Sequence, residues 1–340
     1  MDMPYLLSVL DQSPIAEGDT SADALAHTLE LAQLCDRLGY HRYWLAEHHA
    51  SPGVAGAAPE ALIGPVALST RAIRVGSGGI MLPHYSAYKV AETFRLLGAL
   101  APGRIDLGIG RAPGTDGRAA FALQRDRSRR QPYDFNEQLG ELLAYLAEDM
   151  PADHAFAPLV PALPSGAEGS PSPWLLGSSM DSAYLAAEAG LPYCFADFIN
   201  PDGAEMAAEY RRRFKPSRWL EHPYVGTAVW TVAAPTQAEA ERLAAPATMM
   251  FAHLVRGELI PVPPAEKAIE WLAVHGTGGF RRRTVLGTPA TVHAELDRVA
   301  GLYGADEVLM VNILSDHQAR LRSYALMATE YGLAQRAEAA

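Results

Sequence analysis

The chain has 340 residues, of which 49% are hydrophobic and 20% are charged, and its formal net charge at pH 7 is −11. This is the composition of a soluble globular protein, and its acidic balance argues against binding to nucleic acid or to an anionic membrane surface. Apolar runs stay shorter than the roughly 18 residues that a membrane-spanning helix needs, and the N-terminal segment lacks the pattern of a signal peptide. We therefore expect a cytoplasmic protein.

Short apolar runs without polar alternation recur along the chain, as expected of parallel strands that are buried on both faces. Helical patterns alternate with these runs. Eight such units without an internal linker predict a single (β/α)8 TIM barrel domain over residues 1–340, with a doubly wound open sheet as the alternative. The predicted strands are Leu6–Leu10, Tyr43–Ala46, Arg74–Gly78, Ile105–Ile109, Trp174–Leu176, Tyr193–Ala196, Tyr224–Val232 and Glu307–Val311.

The helical segments carry start signals and apolar faces. In the first of them, Leu25, Leu29, Ala32 and Cys35 recur at the spacing of one helix face. Four later helix starts are predicted from N-cap residues, two of them as capping boxes. These starts are Ser86, Thr236 with Glu239, Thr288 before Pro289, and Ser315 with Gln318.

Two stretches are longer than a regular βα unit requires, which predicts insertions after strands 4 and 7. Residues 151–173 are rich in proline, alanine, serine and glycine, and residues 251–285 contain PVPP and GTGG. We expect both stretches to be surface excursions, and such an excursion near a barrel mouth can form a lid.

Cysteine and lysine usage excludes some chemistry. Cys35 and Cys194 are the only cysteines, and their positions in a helical and a strand pattern predict buried, reduced thiols. The three lysines do not lie at the ends of apolar strands, so a Schiff-base mechanism is disfavoured.

Small or polar residues follow each predicted strand, at the end where barrel active sites form. Their convergence predicts a binding site at one end of a closed sheet. The set comprises Asp11-Gln12-Ser13, Glu47-His48-His49, Ser77-Gly78-Gly79, Gly110-Arg111, Gly177-Ser178-Ser179, Asp197-Phe198, Thr231 and Asn312.

Glu47, His48 and His49 are the candidate catalytic residues. Neighbours on extended backbone point to opposite sides, so the two histidines are not expected to ligate one metal, and we predict no metal site. We expect one histidine to face the site as an acid, a base or a hydrogen-bond donor while the other supports it. A metal-dependent barrel hydrolase that uses His48, His49 and Asp197 stays open as an alternative.

Two strand ends have the chemistry of a phosphate site. Arg111 follows strand 4, and its planar guanidinium can donate two parallel bonds to a phosphate. Ser178 and Ser179 precede a helix predicted from Asp181 to Gly190, and the free N–H groups at a helix start bind anions. The arginine-rich run at residues 125–130 is expected to be a solvated surface segment, with guidance of an anionic ligand inward as the alternative.

Four segments resemble the bacterial luciferase-like flavin-dependent oxidoreductases. They read LSVLDQSPI, RYWLAEHH, IRVGSGGIMLPHYSAYKVAE with PGRIDLGIGRAPG, and LLGSSMDSAYLAAEAGLPY. The similarity covers nearly the whole chain and is weakest over residues 115–170 and 245–285. It implies a (β/α)8 barrel that holds FMN at its C-terminal mouth.

The resemblance also implies roles for single residues. A non-prolyl cis peptide against the flavin ring maps to Gly78-Gly79, with Ser77 counted beside them as cofactor-binding. The phosphate ligands map to Arg111 and to Gly177, Ser178 and Ser179, and the histidine that assists the flavin chemistry maps to His48. Gly110 stands where luciferase carries a reactive cysteine, which argues against light emission from an aldehyde.

The implied activity is a monooxygenase that takes reduced FMN from a separate NAD(P)H-flavin reductase and oxidises a small organic substrate with O2. A homodimer is expected by the same analogy. Two alternatives stay open: hydride transfer with the deazaflavin F420 on the same barrel, and a flavin-binding protein without turnover.

Overall fold

The computed structural model describes residues 5–124, 128, 134–164, 170–279 and 282–336. The predicted arginine-rich run at residues 125–130 lies outside the described residues, apart from Ser128. The strands are β1 (Leu6–Asp11), β2 (Arg42–Leu45), β3 (Arg74–Met81), β4 (Ile105–Gly110), β5 (Ser172–Gly177), β6 (Tyr193–Ala196), β7 (Val225–Ala233), β8 (Thr284–Gly287) and β9 (Glu307–Val311). The helices are α1 (Ser21–Leu38), α2 (Pro59–Ser69), α3 (Ala87–Leu100), α4 (Gly117–Leu123), α5 (Phe135–Ala147), α6 (Met180–Ala189), α7 (Ala204–Arg213), α8 (Gln237–Val255), α9 (Ala265–His275), α10 (Pro289–Tyr303) and α11 (His317–Glu330).

The sheet closes into a barrel of eight parallel strands, which confirms the TIM barrel and rules out the open sheet. Strands β1 to β7 pair in sequence, and β9 lies between β7 and β1. The ninth strand, β8, was not predicted and lies outside the ring. It pairs with the C-terminal half of β7, from Trp230 to Ala233, while the pairing of β7 with β9 ends at Trp230. That half of β7 extends past the ring, and β8 satisfies backbone groups that would otherwise be unpaired.

Aromatic and aliphatic side chains fill the barrel, with one charged layer among them. Arg42 binds Asp106 at 2.7 Å and Glu307 at 2.6 Å, and its guanidinium lies 4.5 Å from the ring centroid of Trp174. All three charged residues are buried and lie on β2, β4 and β9 near the strand starts. This layer closes the barrel at the N-terminal ends of the strands, opposite to the end where the site was predicted.

The predicted buried face of the first helix is confirmed at Ala32 and Cys35 and is shifted in the first half of the helix. The buried residues of α1 include Ala24, Thr28 and Leu31 beside Ala32 and Cys35, whereas Leu25 and Leu29 are only partly buried. The hydroxyl of Thr28 explains the difference, because it donates to Asp11 at 2.8 Å and so turns this polar residue toward the barrel. The apolar spacing alone could not indicate such a contact.

Three of the four predicted helix caps are confirmed. Ser86 accepts from the Lys89 N–H, Thr236 from the Glu239 N–H and Thr288 from the Thr291 N–H. The capping box predicted for Thr236 and Glu239 is wrong, because the Glu239 side chain does not accept from the Thr236 N–H and its carboxylate lies 3.6 Å from Arg322. The fourth prediction was wrong by one residue, since the cap of α11 is Asp316 and not Ser315.

The two predicted excursions contain more regular structure than expected. Residues 151–173 include a 3₁₀ segment, Ala157–Ala162, and the start of β5. Residues 251–285 include the last turn of α8, all of α9 and the start of β8. A lid function for either stretch stays a prediction.

Both cysteines are free and buried, as predicted. Among the described residues, no helix combines the length and the apolarity needed to cross a membrane.

Candidate functional site

A cavity of about 550 Å³, called here the mouth cavity, lies at the C-terminal ends of the barrel strands. Such a volume is typical of a small-molecule site. Of the residues predicted to be catalytic or cofactor-binding, all except Ser77 and His49 line it. Those that do are Glu47, His48, Gly78, Gly79, Arg111, Gly177, Ser178 and Ser179. The structure therefore brings together around one cavity residues that are up to 132 positions apart in the chain.

Two glycines form the floor of the mouth cavity. The peptide bond between Gly78 and Gly79 is cis, as the resemblance implied. A Cβ at Gly78 would lie 2.5 Å from a methyl carbon of Leu10, and one at Gly79 would lie 2.8 Å from the carbonyl oxygen of Gly108. Position 79 therefore requires glycine because backbone is in the way, whereas a side chain at position 78 would have to displace the Leu10 methyl. Leu10, Leu176 and other apolar side chains around this floor suit a flat aromatic ligand.

Groups that can bind an anion lie at another part of the mouth cavity, away from the glycine floor. Ser179 caps α6, and Ser178 accepts a hydrogen bond from Asn200 through its carbonyl oxygen. The Arg111 guanidinium lies 3.6 Å from Asp181 in the first turn of α6. The two side chains are 54% and 75% exposed, so this ion pair is weak and a phosphate can replace it. Arginine, serine hydroxyl and helix N-terminus together have the chemistry of a phosphate site.

A second cavity of about 490 Å³, called here the side cavity, adjoins the first. Gln12, His48 and Gly114 line both cavities, so His48 lies at their junction. Met250, Phe251, Ile260 and Ile313 give the side cavity a largely apolar wall. A ligand in one cavity and a ligand in the other would thus both be able to contact the His48 imidazole.

Burial sets the protonation of His48. Burial lowers the pKa of its imidazole, and a hydrogen bond to the Gly114 backbone opposes this only in part. The ring is therefore neutral at pH 7, with one nitrogen free to accept a proton. Of the two adjacent histidines, His48 is the one that faces the junction.

The geometry agrees with the relationships of the sequence. The sequence profile described as luciferase-like monooxygenase matches residues 5–306. The chain belongs to the luciferase-like monooxygenase family. It is 40% identical over 334 residues to the N-acetyl-S-alkylcysteine monooxygenase of Bacillus subtilis strain 168, with 94% of this chain and 96% of that protein covered. It is 39% identical to the protein in the crystal structure of apo-MsnO8, with a TM-score of 0.89 and coverage of 98% of this chain and 99% of that one.

More distant solved structures share the barrel. The oxygenating constituent of 3,6-diketocamphane monooxygenase from Pseudomonas putida, in complex with FMN, is 18% identical with a TM-score of 0.69 and coverage of 96% and 97%. An F420-dependent secondary alcohol dehydrogenase, in complex with an F420-acetone adduct, is 16% identical with a TM-score of 0.66 and coverage of 95% and 98%. At these identities the likeness establishes the fold alone.

In this luciferase-like monooxygenase, Glu47 and His49 form a pair. The Glu47 carboxylate lies 2.8 Å from Nε2 of His49, and its other oxygen accepts the Met81 N–H at 2.8 Å. Burial raises the pKa of Glu47 to about 7 and lowers that of His49. Close to pH 7 the Glu47 carboxyl is therefore about half protonated, and the His49 imidazole is neutral. His49 lines the side cavity, so it supports the site rather than contacting the mouth cavity.

Glu47→Gln is expected to remove a pH-dependent cost to stability. A carboxyl group whose pKa is raised on folding destabilises the protein increasingly as pH rises from its unfolded value, near 4.5, to about 7. The free energy of unfolding of the variant relative to wild type should therefore increase by about 2–3 kcal/mol between pH 5 and pH 8. Urea denaturation across this range measures it. Glu270→Gln, at an exposed position of α9, should give a constant difference, and a constant difference for Glu47→Gln as well would contradict the prediction.

The residues named for a metal-dependent hydrolase are not brought together as a ligand set. Asp197 binds Arg283 at 3.0 Å and the Tyr303 hydroxyl at 2.8 Å, and it does not line the mouth cavity. Among the described residues, Glu47, His49 and His84 instead have potential ligand atoms within 4.8 Å of one another. Nε2 of His84 is also 2.8 Å from the Pro113 carbonyl oxygen. This grouping omits His48, the histidine at the junction of the cavities.

Ser77 is placed differently from the prediction. Its hydroxyl donates to the Gly108 carbonyl oxygen at 2.9 Å, and its side chain is buried between β3 and β4. Alternation along β3 explains this, because Ser77 and Gly78 face opposite sides of the strand. The side chain of Ser77 thus joins two strands, while the glycines form the cavity floor.

Several other polar residues at the strand ends hold the barrel together. Asp11 binds Arg320, and Asn312 donates to the Thr231 carbonyl oxygen at 2.9 Å. The sequence could not separate these residues from those of the cavity, because the partner of Asp11 is 309 positions away on α11. Trp44 also lines the mouth cavity and was not predicted. Strand alternation was the available signal, since Trp44 and Ala46 share a face with His48.

Proposed function

We propose that this protein is an FMN-dependent monooxygenase that uses reduced FMN, supplied by a separate NAD(P)H-flavin reductase, and O2 to oxidise a small organic substrate. Membership of the luciferase-like monooxygenase family supports an oxidoreductase. The observation that carries the finer proposal is the position of His48 between a cavity suited to a flat phosphorylated ligand and a second, apolar cavity. One cavity would hold the cofactor and the other the substrate.

The residues of the mouth cavity fit FMN. Arg111, Ser178 and Ser179 would hold the phosphate at the start of α6, and Gly78 and Gly79 would contact the ring. Reduced FMN, when bound, supplies the electrons with which dioxygen is activated and one oxygen atom is inserted into the substrate. An FMN complex and an F420 adduct are both known on this barrel at low identity. The compact set of one arginine and two serines supports FMN as the first choice.

The protein's own groups would exclude water and move a proton. The buried walls of both cavities keep solvent from the reacting atoms once they are occupied. The free ring nitrogen of neutral His48 would take up a proton at the junction and return it later in the cycle. Glu47, which gains or loses a proton near pH 7, and His49, which lies 2.8 Å from it, would support that exchange from the adjoining wall.

The substrate we propose to test first is an N-acetyl-S-alkylcysteine. The Bacillus subtilis relative named for this substrate class is 40% identical to the chain over 94% of its length. The largely apolar wall of the side cavity suits an alkyl group on sulfur. Turnover with a purified flavin reductase, measured as oxygenated thioether and corrected for hydrogen peroxide released without oxygenation, tests the activity. Oxidation of reduced FMN to hydrogen peroxide with no oxygenated product from a panel of thioethers would favour a flavin-binding protein without turnover.

Arg111→Ala should weaken binding of reduced FMN by about 1.5–3 kcal/mol, the usual worth of a charge-assisted phosphate contact. Anaerobic titration followed by calorimetry measures the change. Arg118→Ala, which removes an exposed arginine from the nearby helix α4, is the matched control for overall charge and should change affinity by less than about threefold. Equal affinity of wild type and Arg111→Ala would remove Arg111 from the site. If wild type binds F420 but not FMN, the deazaflavin alternative replaces the proposal.

A homodimer and a cytoplasmic location are further parts of the proposal. Sedimentation of the purified protein tests the first, and a monomer at micromolar concentration would contradict it.

A further inference from the structure

A small cavity of about 190 Å³, called here the Arg282 cavity, adjoins the side cavity. Phe251 and Ile313 line both, so the two cavities meet at these residues. Trp230, Thr248 and Arg282 contribute to the rest of the wall. The cavity therefore combines apolar surface, a hydroxyl group and one cationic side chain next to the compartment proposed for the substrate.

Arg282 is held in place without a negative partner among the residues that the structure describes. Its Nε donates to the Phe198 carbonyl oxygen at 2.8 Å, and its guanidinium carbon lies 3.0 Å from the ring centroid of Phe251 and 4.8 Å from that of Trp230. Its Nη1 is buried and has no hydrogen-bond partner among the described residues. The neighbouring Arg283 differs, because it binds both oxygens of Asp197. The aromatic rings fix the guanidinium while part of its donor capacity is unused.

An uncompensated guanidinium is costly in such surroundings. Burial alone lowers the pKa of Arg282, with no carboxylate acting against it. A guanidinium nevertheless keeps its charge at neutral pH. The burial of this charge therefore destabilises the folded protein, because the group does not lose its proton. The buried arginines Arg42 and Arg320 are both paired with carboxylates. A ligand anion would supply at Arg282 the negative charge that carboxylates of the chain supply at Arg42 and Arg320.

We propose that Arg282 binds the carboxylate of an organic acid whose apolar body extends past Phe251 and Ile313 into the side cavity. A carboxylate matches the planar donor fork of arginine and would supply a negative charge beside the guanidinium. The surrounding rings and aliphatic side chains suit the apolar remainder of such a molecule. If this acid is also the substrate, that role rests on the proposed monooxygenase function. The binding of a carboxylate at Arg282 does not rest on that function.

The test compares an acid with its uncharged amide. Calorimetric titration of N-acetyl-S-butylcysteine and of its carboxamide into wild type, with saturating oxidised FMN and again without it, should show roughly 10- to 100-fold tighter binding of the acid. Trp230 lines the cavity, so tryptophan fluorescence gives a second readout. Equal binding of the acid and the amide, or no saturable binding of either, would overturn the inference. This comparison uses wild type only and does not depend on the folding of any variant.

Arg282→Gln should weaken binding of the acid by roughly 10- to 100-fold and change binding of the amide by less than about twofold. Arg282→Lys keeps the charge but not the fork and should give an intermediate loss. The matched control is Arg256→Gln, which removes an exposed guanidinium that lies 4.8 Å from the Trp271 ring. Arg256 does not line the Arg282 cavity. Equal effects of Arg256→Gln and Arg282→Gln on the acid would overturn the inference.

Failure of this inference can be told apart from failure of the proposed function. If FMN binds through Arg111 but the acid and the amide bind equally, only the carboxylate site is wrong. If FMN does not bind and the acid still binds more tightly than the amide in an Arg282-dependent manner, the carboxylate site stands and the monooxygenase proposal fails.

Discussion

His48→Ala is expected to lower kcat for oxygenation by about 10²- to 10⁴-fold, the usual contribution of a positioned acid or base. The imidazole lines both the mouth cavity and the side cavity, so it can contact cofactor and substrate together. Because burial lowers its pKa, the ring is neutral at pH 7 and able to accept a proton. Affinity for reduced FMN should change by less than about threefold, since the proposed phosphate ligands are unaltered.

The measurement is oxygenated product formed per reduced FMN consumed, with a purified reductase and with hydrogen peroxide counted separately. His49→Ala is the matched control. It removes the adjacent imidazole, which lines only the side cavity and pairs with Glu47, and should cost much less than His48→Ala. A loss of FMN affinity that parallels the loss of kcat would make His48 a binding residue. Equal losses of kcat in the two variants would show that the junction position has no special role.

The sequence predicted the barrel and many of the small and polar residues of the cavity lining for a physical reason. Parallel strands buried on both faces are apolar throughout, so the few polar or small residues at their ends stand out. Gly78, Gly79, Arg111 and Ser178 were identified in this way and all line the mouth cavity. The resemblance added the cis peptide at Gly78-Gly79, which the structure confirms and which strand patterns do not reveal.

What the sequence could not separate was the function of polar residues that look alike at strand ends. Asp11 and Asp197 follow apolar strands just as Glu47 does, yet both are held by arginines from distant segments. Such contacts depend on which helix packs against which strand end, and no local pattern encodes that. Arg282 illustrates the opposite case, because an arginine in a charged run gave no sign that it would enter an aromatic cavity without a carboxylate.

The second prediction concerns one of these distant pairs. Arg320→Met should destabilise the protein by about 3–5 kcal/mol at pH 7, because it leaves a buried carboxylate without its counter-charge. Arg320 and Asp11 are 1% and 0% exposed, and their oxygen–nitrogen distance is 2.5 Å. Arg298→Met is the matched control, since it removes an arginine paired with Glu295 on the surface of α10 and should cost less than about 1 kcal/mol. Urea denaturation of the three proteins measures both differences.

The pH dependence identifies the cause of that loss. Burial acts to raise the pKa of Asp11, but the charge of Arg320 together with hydrogen bonds from Tyr43 and Ser13 lowers it overall. In wild type the contribution of Asp11 is therefore fully present above its unfolded pKa of about 3.9 and does not change between pH 7 and pH 5. In Arg320→Met burial raises the pKa instead, so acidification protonates Asp11 and relieves the cost, and the gap to wild type should narrow as pH falls.

Asp11→Asn/Arg320→Met separates an uncompensated charge from a simple loss of packing. With both charges removed, the double variant should be more stable than Arg320→Met at pH 7, and its difference from wild type should not depend on pH between 7 and 5. A double variant as unstable as the single one would attribute the loss to the missing arginine side chain. Gln12, which follows Asp11 directly, lines both cavities. The pair of Asp11 and Arg320 therefore holds the end of β1 next to the residue that lies where cofactor and substrate are proposed to meet.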